Sequence, residues 1–224
     1  MFGELVVVDD VPAEFAERVI EAYHARPNDG FSVALSGGAT ARACYERLAD
    51  DAGSQIDWWK VDVYWGDERC VPADDDASNY RLGREALLER VGAVNANYPM
   101  RCEEGSDPYQ LRLGELGRLD VIHLGLGPDG HTASLFPGSP GLDADPGRLV
   151  VMNTDPSGRN PHPRMTLTFA GIARARLALV TVVGAEKGDA LARVAAGDPT
   201  CPASRLGADH IVWLADEAAA GDLA

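Results

Sequence analysis

Apolar positions along the chain alternate between two periods, and the alternation predicts an architecture. Residues 4–8, 31–35, 61–65, 121–126, 149–152, 164–169, 177–183 and 211–214 form short runs rich in Val, Ile and Leu, of strand length. Between them the apolar residues recur at helical spacing. Phe15, Val19, Ile20 and Tyr23 make one stripe, with Asp10 placed to cap it and Pro12 near its first turn. Ala43, Tyr45 and Leu48 make a second, Leu82, Ala86, Leu87 and Val91 a third, and Leu111 with Leu116 a fourth. Leu191 and Val194 make the last. Residues 95–105 show no period and read as irregular. Strands alternating with helices predict an α/β fold, a doubly wound, mainly parallel sheet flanked by helices, with residues 1–224 as a single domain.

The ends of these strands carry the candidate chemistry, because ligands of open α/β sheets bind beyond the carboxyl ends of strands. At the end of residues 121–126 and just beyond it, Gly125, Gly127, Pro128 and Gly130 crowd together, with the polar residues Asp129, His131, Thr132 and Ser134 among and after them. Glycines there allow close approach of backbone to ligand. His131 is the residue of interest, the plain alternative being a tight turn in which it caps the next helix. After residues 31–35 comes Ser36-Gly37-Gly38-Ala39-Thr40 and a helix start, whose unpaired N–H groups and dipole suit a phosphate; a simple helix entry fits equally. After residues 61–65 comes Gly66-Asp67-Glu68-Arg69, where an arginine beside carboxylates keeps them ionised and can hold a phosphate, or forms a surface ion pair. The run Asp74-Asp75-Asp76 lacks calcium-loop spacing and reads as solvated. Residues 155–163 form a long connection that can cover a site.

Composition narrows the partners. The net charge of −15 disfavours a nucleic-acid surface, which needs basic patches, yet leaves room for a small anion held by local donors. No run approaches the roughly 20 apolar residues of a membrane span, and residues 1–4 have no basic segment ahead of an apolar one, so neither a membrane partner nor a signal peptide is expected. Cys44, Cys70, Cys102 and Cys201 lie far apart without Cys-x-x-Cys spacing. No metal site is expected, and four free thiols in a reducing cytoplasm are. The expected state is a monomer, with a weak dimer as the alternative.

Several segments taken together resemble one family. Leu35-Ser36-Gly37-Gly38, Trp65-Gly66-Asp67-Glu68-Arg69-Cys70-Val71-Pro72 with Ser78-Asn79, the stretch 125–137, Arg164-Met165-Thr166-Leu167-Thr168 and the stretch 184–187 occur in the order found in the 6-phosphogluconolactonases, which share a fold with the glucosamine-6-phosphate deaminases. The resemblance implies hydrolysis of 6-phospho-D-glucono-1,5-lactone in the pentose phosphate pathway, without metal or cofactor. It implies His131 as the catalytic histidine and Asp67 with Arg69 as an aspartate–arginine pair. It further implies a substrate and phosphate site of Ser36, Gly37, Gly38 and Thr40, with Asp129, Gly130 and the cations Lys187 and Arg164. Ala39 and Ala41 depart from the family's usual Ser-Gly-Gly-Ser-Thr-Pro.

On that reading His131 acts as general base on water, Asp67 orients its imidazole, and the oxyanion is met by N–H groups of the turn 127–130 or by Arg69. A serine mechanism through Ser134 lacks the Gly-x-Ser-x-Gly elbow. Two other readings are a glucosamine-6-phosphate deaminase or sugar-phosphate isomerase, disfavoured by Thr-Ala-Ser-Leu-Phe-Pro after His131, and a non-catalytic sugar-phosphate sensor. A nicotinamide-dependent dehydrogenase would need a glycine fingerprint absent here.

Overall fold

All eight expected strands are present in the computed structural model, which describes residues 3–223, and two short ones join them. The reading made on Met1 and Phe2 lies outside the described residues. In chain order the strands are β1 (Glu4–Val7), β2 (Phe31–Leu35), β3 (Val61–Trp65), β4 (Asp67–Arg69), β5 (Ala96–Asn97), β6 (Leu119–Gly125), β7 (Val150–Asn153), β8 (Arg164–Leu167), β9 (Ala175–Val182) and β10 (His210–Ala215). Seven form a sheet in the order β1-β10-β9-β6-β2-β3-β5, every pair parallel. The five residues of β2 are all buried, as a strand covered on both faces requires.

The strand order places the site. From β2 the chain moves outward through β3 and β5, then returns to the other flank of β2 as β6 and continues to β9 and β10. The direction of winding reverses between β2 and β6, so the connections leaving their carboxyl ends diverge and open a crevice. Helix α1 (Val11–Ala25) starts where Asp10 Oδ1 accepts from the Ala13 N–H at 3.0 Å, and it buries Phe15, Val19, Ile20 and Tyr23. Helix α2 (Ala39–Ala52) packs on α1 and buries Tyr45 and Leu48. The helix over 79–91 widens into a π turn at Arg84–Leu88, where three successive residues, Ala86, Leu87 and Leu88, are buried. No described helix is long and apolar enough to cross a membrane.

One strand was not expected and one reading changes. Asp67-Glu68-Arg69, placed only after the end of β3 by the sequence, is itself a strand: at Gly66 the chain leaves the main sheet and pairs antiparallel with β8, setting Asp67 against Thr166, Glu68 against Met165 and Arg69 against Arg164. With β7 these strands make a second, three-stranded antiparallel sheet. The expectation of four free thiols is corrected, because Cys70 and Cys102 form a disulfide while Cys44 and Cys201 are free and buried. Cys70 follows β4, just past the end of β3, and Cys102 follows β5, the parallel neighbour of β3. Strand pairing therefore brings together two cysteines that are 32 residues apart.

Candidate active site

A cleft of about 390 Å³ lies at the carboxyl ends of β2, β6 and β9. One wall is the stretch Ser36, Gly37, Gly38, Ala39, Thr40 and Ala41. Gly38 caps α2 without a side-chain hydrogen bond, so the first-turn N–H groups and the positive end of the helix dipole face the cleft. Lys187, in the turn after β9, adds an ammonium group. Gly37 has no room for a side chain: a Cβ there would lie 1.8 Å from Asn79 Oδ1.

His131 lines the cleft from the turn after β6. That turn is locked by its own backbone, the Gly130 N–H donating to Gly127 O at 2.9 Å and the Gly127 N–H to His131 O at 2.8 Å. The imidazole lies against Gly127, where a Cβ would come within 2.1 Å of Nδ1, and its ring centre is 5.0 Å from that of Phe136. Asp129 Oδ1 accepts a hydrogen bond from His131 Nδ1 at 2.5 Å and another from the His131 backbone N–H at 3.1 Å. Burial opposes ionisation of Asp129, but the hydrogen bonds from His131 outweigh it and hold the carboxyl below its ordinary pKa. An ionised carboxylate only accepts, so Nδ1 carries the imidazole proton and Nε2 is the basic nitrogen.

The three residues of β4 do three different things. Asp67 does not orient His131, contrary to expectation. Its Oδ2 accepts from Ser134 Oγ at 2.6 Å, and its Oδ1 and backbone oxygen accept from Asn79 Nδ2 at 3.1 and 2.9 Å. The reason is register: Asp67 lies opposite Thr166 on β8, and Thr166 Oγ1 accepts the Ser134 N–H. Glu68 is buried and accepts the backbone N–H groups of Asn79 and Tyr80, each at 2.7 Å, so it caps the helix over 79–91. Burial outweighs those hydrogen bonds and raises its pKa. Arg69 lines the cleft, one guanidinium nitrogen donating to Ala77 O at 2.7 Å.

Of the remaining expected site residues, Ser36, Gly37, Gly38, Thr40 and Lys187 meet in the cleft, while three stand outside its lining. Asp129 is behind His131, and Gly130 is backed against Cys201, whose Sγ would be 2.5 Å from an added Cβ. Arg164, expected as a phosphate cation, is buried across the ladder from Arg69, where it donates to His162 O at 2.6 Å and sits 5.9 Å from the Phe136 ring centre. Burial, and then the charge of Arg69, lower its pKa.

Three cleft residues escaped the sequence reading. Asn79 is in a segment noted only for its resemblance, and its Oδ1 has no hydrogen-bond partner among the described residues. Thr181 is the only hydroxyl within the apolar run of residues 177–183, and His123 the only imidazole within that of β6. His123 is fully buried, with Nδ1 2.8 Å from Tyr45 Oη and Nε2 3.0 Å from Thr181 Oγ1. Burial pushes its pKa down to about 3, so it is neutral. The sole signal of Thr181 and His123 was polarity inside a buried strand.

Residues 6–213 match the family described as glucosamine-6-phosphate isomerases/6-phosphogluconolactonase. Among curated relatives, the 6-phosphogluconolactonase of Synechocystis is 37% identical over 210 residues, covering 86% of this chain and 84% of that protein. The Mycobacterium tuberculosis 6-phosphogluconolactonase is 36% identical over 211 residues, with 85% and 84% covered. Among solved structures, the 6-phosphogluconolactonase of Thermotoga maritima superposes with a TM-score of 0.81 at 30% identity, covering 95% of this chain and 99% of that one. A monomeric glucosamine-6-phosphate deaminase superposes with a TM-score of 0.83 over 97% and 98% of the chains, at 17% identity, and shares the fold.

Proposed function

The chain belongs to the glucosamine-6-phosphate isomerase/6-phosphogluconolactonase family, and we propose that it hydrolyses 6-phospho-D-glucono-1,5-lactone to 6-phosphogluconate, the lactone-opening step of the pentose phosphate pathway, with His131 activating the water. The observation that carries the catalytic assignment is the Asp129–His131 pair, whose imidazole lines the cleft that also holds the Ser36–Thr40 loop and Lys187. One end of the cleft chemistry binds an anion and the other accepts a proton.

Water attacks the lactone carbonyl while His131 Nε2 takes one of its protons, and Asp129 stabilises the resulting imidazolium. The tetrahedral carbon carries the former carbonyl oxygen as an anion. The N–H groups of Gly127, Gly130 and His131 are already donated within the turn, Pro128 has none, and Asp129 stands outside the cleft lining. Arg69, which lines the cleft with one nitrogen held by Ala77 O, is therefore the group assigned to that oxyanion. Collapse breaks the ring C–O bond, and the imidazolium returns its proton to the departing ring oxygen, which becomes a hydroxyl. The acid product then ionises. The phosphate is held by the first-turn N–H groups of α2, the hydroxyls of Ser36 and Thr40, and Lys187, fixing the carbonyl near Nε2.

The test is direct observation of lactone disappearance against the spontaneous rate. His131→Asn is expected to lower kcat by about 10²–10⁴-fold, the usual contribution of a general base, with little change in KM. Retention of most of the activity removes His131 from the mechanism. Release of ammonia from glucosamine 6-phosphate by the wild-type protein would favour the deaminase reading instead.

A further inference from the structure

Thr181 stands near the carboxyl end of β9, its hydroxyl 3.0 Å from His123 Nε2 and on the lining of the cleft. Which of the two donates follows from the other side of the imidazole. The Ser36 N–H donates to Tyr45 Oη at 2.6 Å, so the phenol oxygen is an acceptor there. Its single proton then has two destinations, Ser36 O at 3.3 Å or His123 Nδ1 at 2.8 Å. Hydroxyl hydrogen bonds cluster near 2.7–2.8 Å and rarely reach 3.3 Å, so the proton points at His123. His123 is neutral and has one ring proton, which is consequently on Nε2 and is donated to Thr181 Oγ1. The Thr181 hydroxyl proton is left with no protein acceptor among the described residues, in a side chain on the cleft wall.

We propose that Thr181 contacts the ligand directly, its hydroxyl donating to an anionic oxygen of the bound sugar phosphate, and that His123 and Tyr45 are positioning residues that aim it. This deepens the reading of the cleft as a sugar-phosphate site and rests on it. A directed chain runs from the Ser36 N–H through Tyr45 and His123 to Thr181, so the residue that opens the phosphate loop and the hydroxyl across the sheet are oriented together. A fixed donor in a buried setting has its orientation settled before the ligand arrives, which is what favours a charge-assisted hydrogen bond.

Thr181→Val keeps the shape and β-branching but removes the donor, while Thr181→Ser restores it. The valine variant is expected to raise KM for the lactone about tenfold or more, as loss of a hydrogen bond to a charged group does, with kcat within about twofold and with serine recovering most of the loss. Calorimetry with inorganic phosphate and with 6-phosphogluconate separates this inference from the assigned activity. If the wild-type protein fails to open the lactone, the activity assignment falls, and the phosphate Kd still decides Thr181: tenfold weakening in the valine variant supports the contact. Unchanged KM and unchanged phosphate Kd in that variant overturn it, as does a wild-type protein that binds no phosphate. Nitrogen-15 spectra of the wild-type protein give a reading independent of any variant's folding. The His123 ring is expected as the Nε2–H tautomer, and an Nδ1–H ring, which would require Thr181 to donate to His123, overturns the proposal.

Discussion

At the scale of single residues, the structure reverses two aspartates: the sequence reading set Asp67 to orient His131 and Asp129 in the substrate site, whereas Asp129 is the one on the imidazole. Both Asp67 and Asp129 are in segments that point to catalysis, and only their hydrogen bonds tell them apart. Asp129 holds Nδ1 of His131 at 2.5 Å, whereas Asp67 is committed to Ser134 and Asn79. Asp129→Asn keeps an acceptor for Nδ1 but loses the charge that stabilises the imidazolium, so kcat is expected to fall roughly 10- to 10²-fold, toward the lower end of a general-base contribution. Asp67→Asn is expected to leave the His131 ring tautomer untouched while loosening the contact to Ser134. Nitrogen-15 shifts of the His131 ring check this: movement in the Asp67 variant and none in the Asp129 variant would reverse the assignment. Gly37 gives a second residue-level expectation. Its missing side chain is replaced by the Asn79 amide, so Gly37→Ala must displace the phosphate loop or Asn79. A rise in phosphate Kd with the fold retained by circular dichroism is the expected result, because the clash at 1.8 Å is far inside van der Waals contact.

Among the elements, the core strands were legible because burial on both faces leaves a run of Val, Ile and Leu that little else imitates. β4 was not legible, since Asp-Glu-Arg has no strand propensity and becomes a strand only through its ladder with β8. The disulfide was hidden for the same reason: its cysteines meet because β3 and β5 are neighbours, and neighbourhood in a sheet has no local signal. The bond clamps the segment that leaves β4 to the turn after β5, and that segment carries the Ala77 oxygen that holds Arg69. Closing a loop of this length stabilises the folded state by about 2–4 kcal/mol in the chain-entropy account. Reduction, or Cys70→Ala with Cys102→Ala, is thus expected to lower Tm by roughly 5–15 °C at about 2–4 °C per kcal/mol for a chain of this size. An unchanged melting curve in reductant, with thiol titration showing all four cysteines reduced, would remove the clamp from the account. The connection over 155–163 has its own anchor. Asp155 accepts the Ser157 N–H at 2.8 Å and both the backbone and side-chain N–H groups of Asn160 at 3.0 and 2.8 Å. Burial is the largest single influence and opposes the ionised form, but the hydrogen bonds from Asn160 and Ser157 together outweigh it, and the carboxyl is pulled down to about 2. A depressed carboxyl contributes stability above its unfolded value near pH ~4 and loses it as pH falls toward 2, so this loop is expected to loosen over that window. Carboxyl-carbon shifts of Asp155 that titrate at the unfolded value would contradict it.

The whole molecule explains why the place of the site could be read when its full membership could not. Loops at the ends of parallel strands converge by topology alone, and the glycine-rich segments after β2 and β6 announced themselves. Thr181 and the distance of Arg164 from the cleft depend instead on register, which shifts a side chain from one face to the other with a single residue, and Asn79 depends on where the helix over 79–91 begins. Charge acts at this scale too. With 35 acidic and 20 basic side chains, pairing every cation would still leave 15 carboxylates without a partner. The ion pairs present are mostly exposed to solvent on one or both sides, such as Arg47 with Asp51 and Lys60 with Asp29, and exposed pairs contribute little. Screening therefore weakens a set of small attractions and a long-range repulsion together. At about 0.01 M salt the Debye length is near 30 Å, so the surplus carboxylates repel across the whole molecule, while at 0.15 M it is about 8 Å and only near neighbours interact. The repulsion is the term that loses most of its range, and net self-repulsion opposes the compact state. Tm is accordingly expected to rise between about 0.01 and 0.5 M sodium chloride at pH 7, and a fall over that range would show that the paired charges, not the surplus, govern stability.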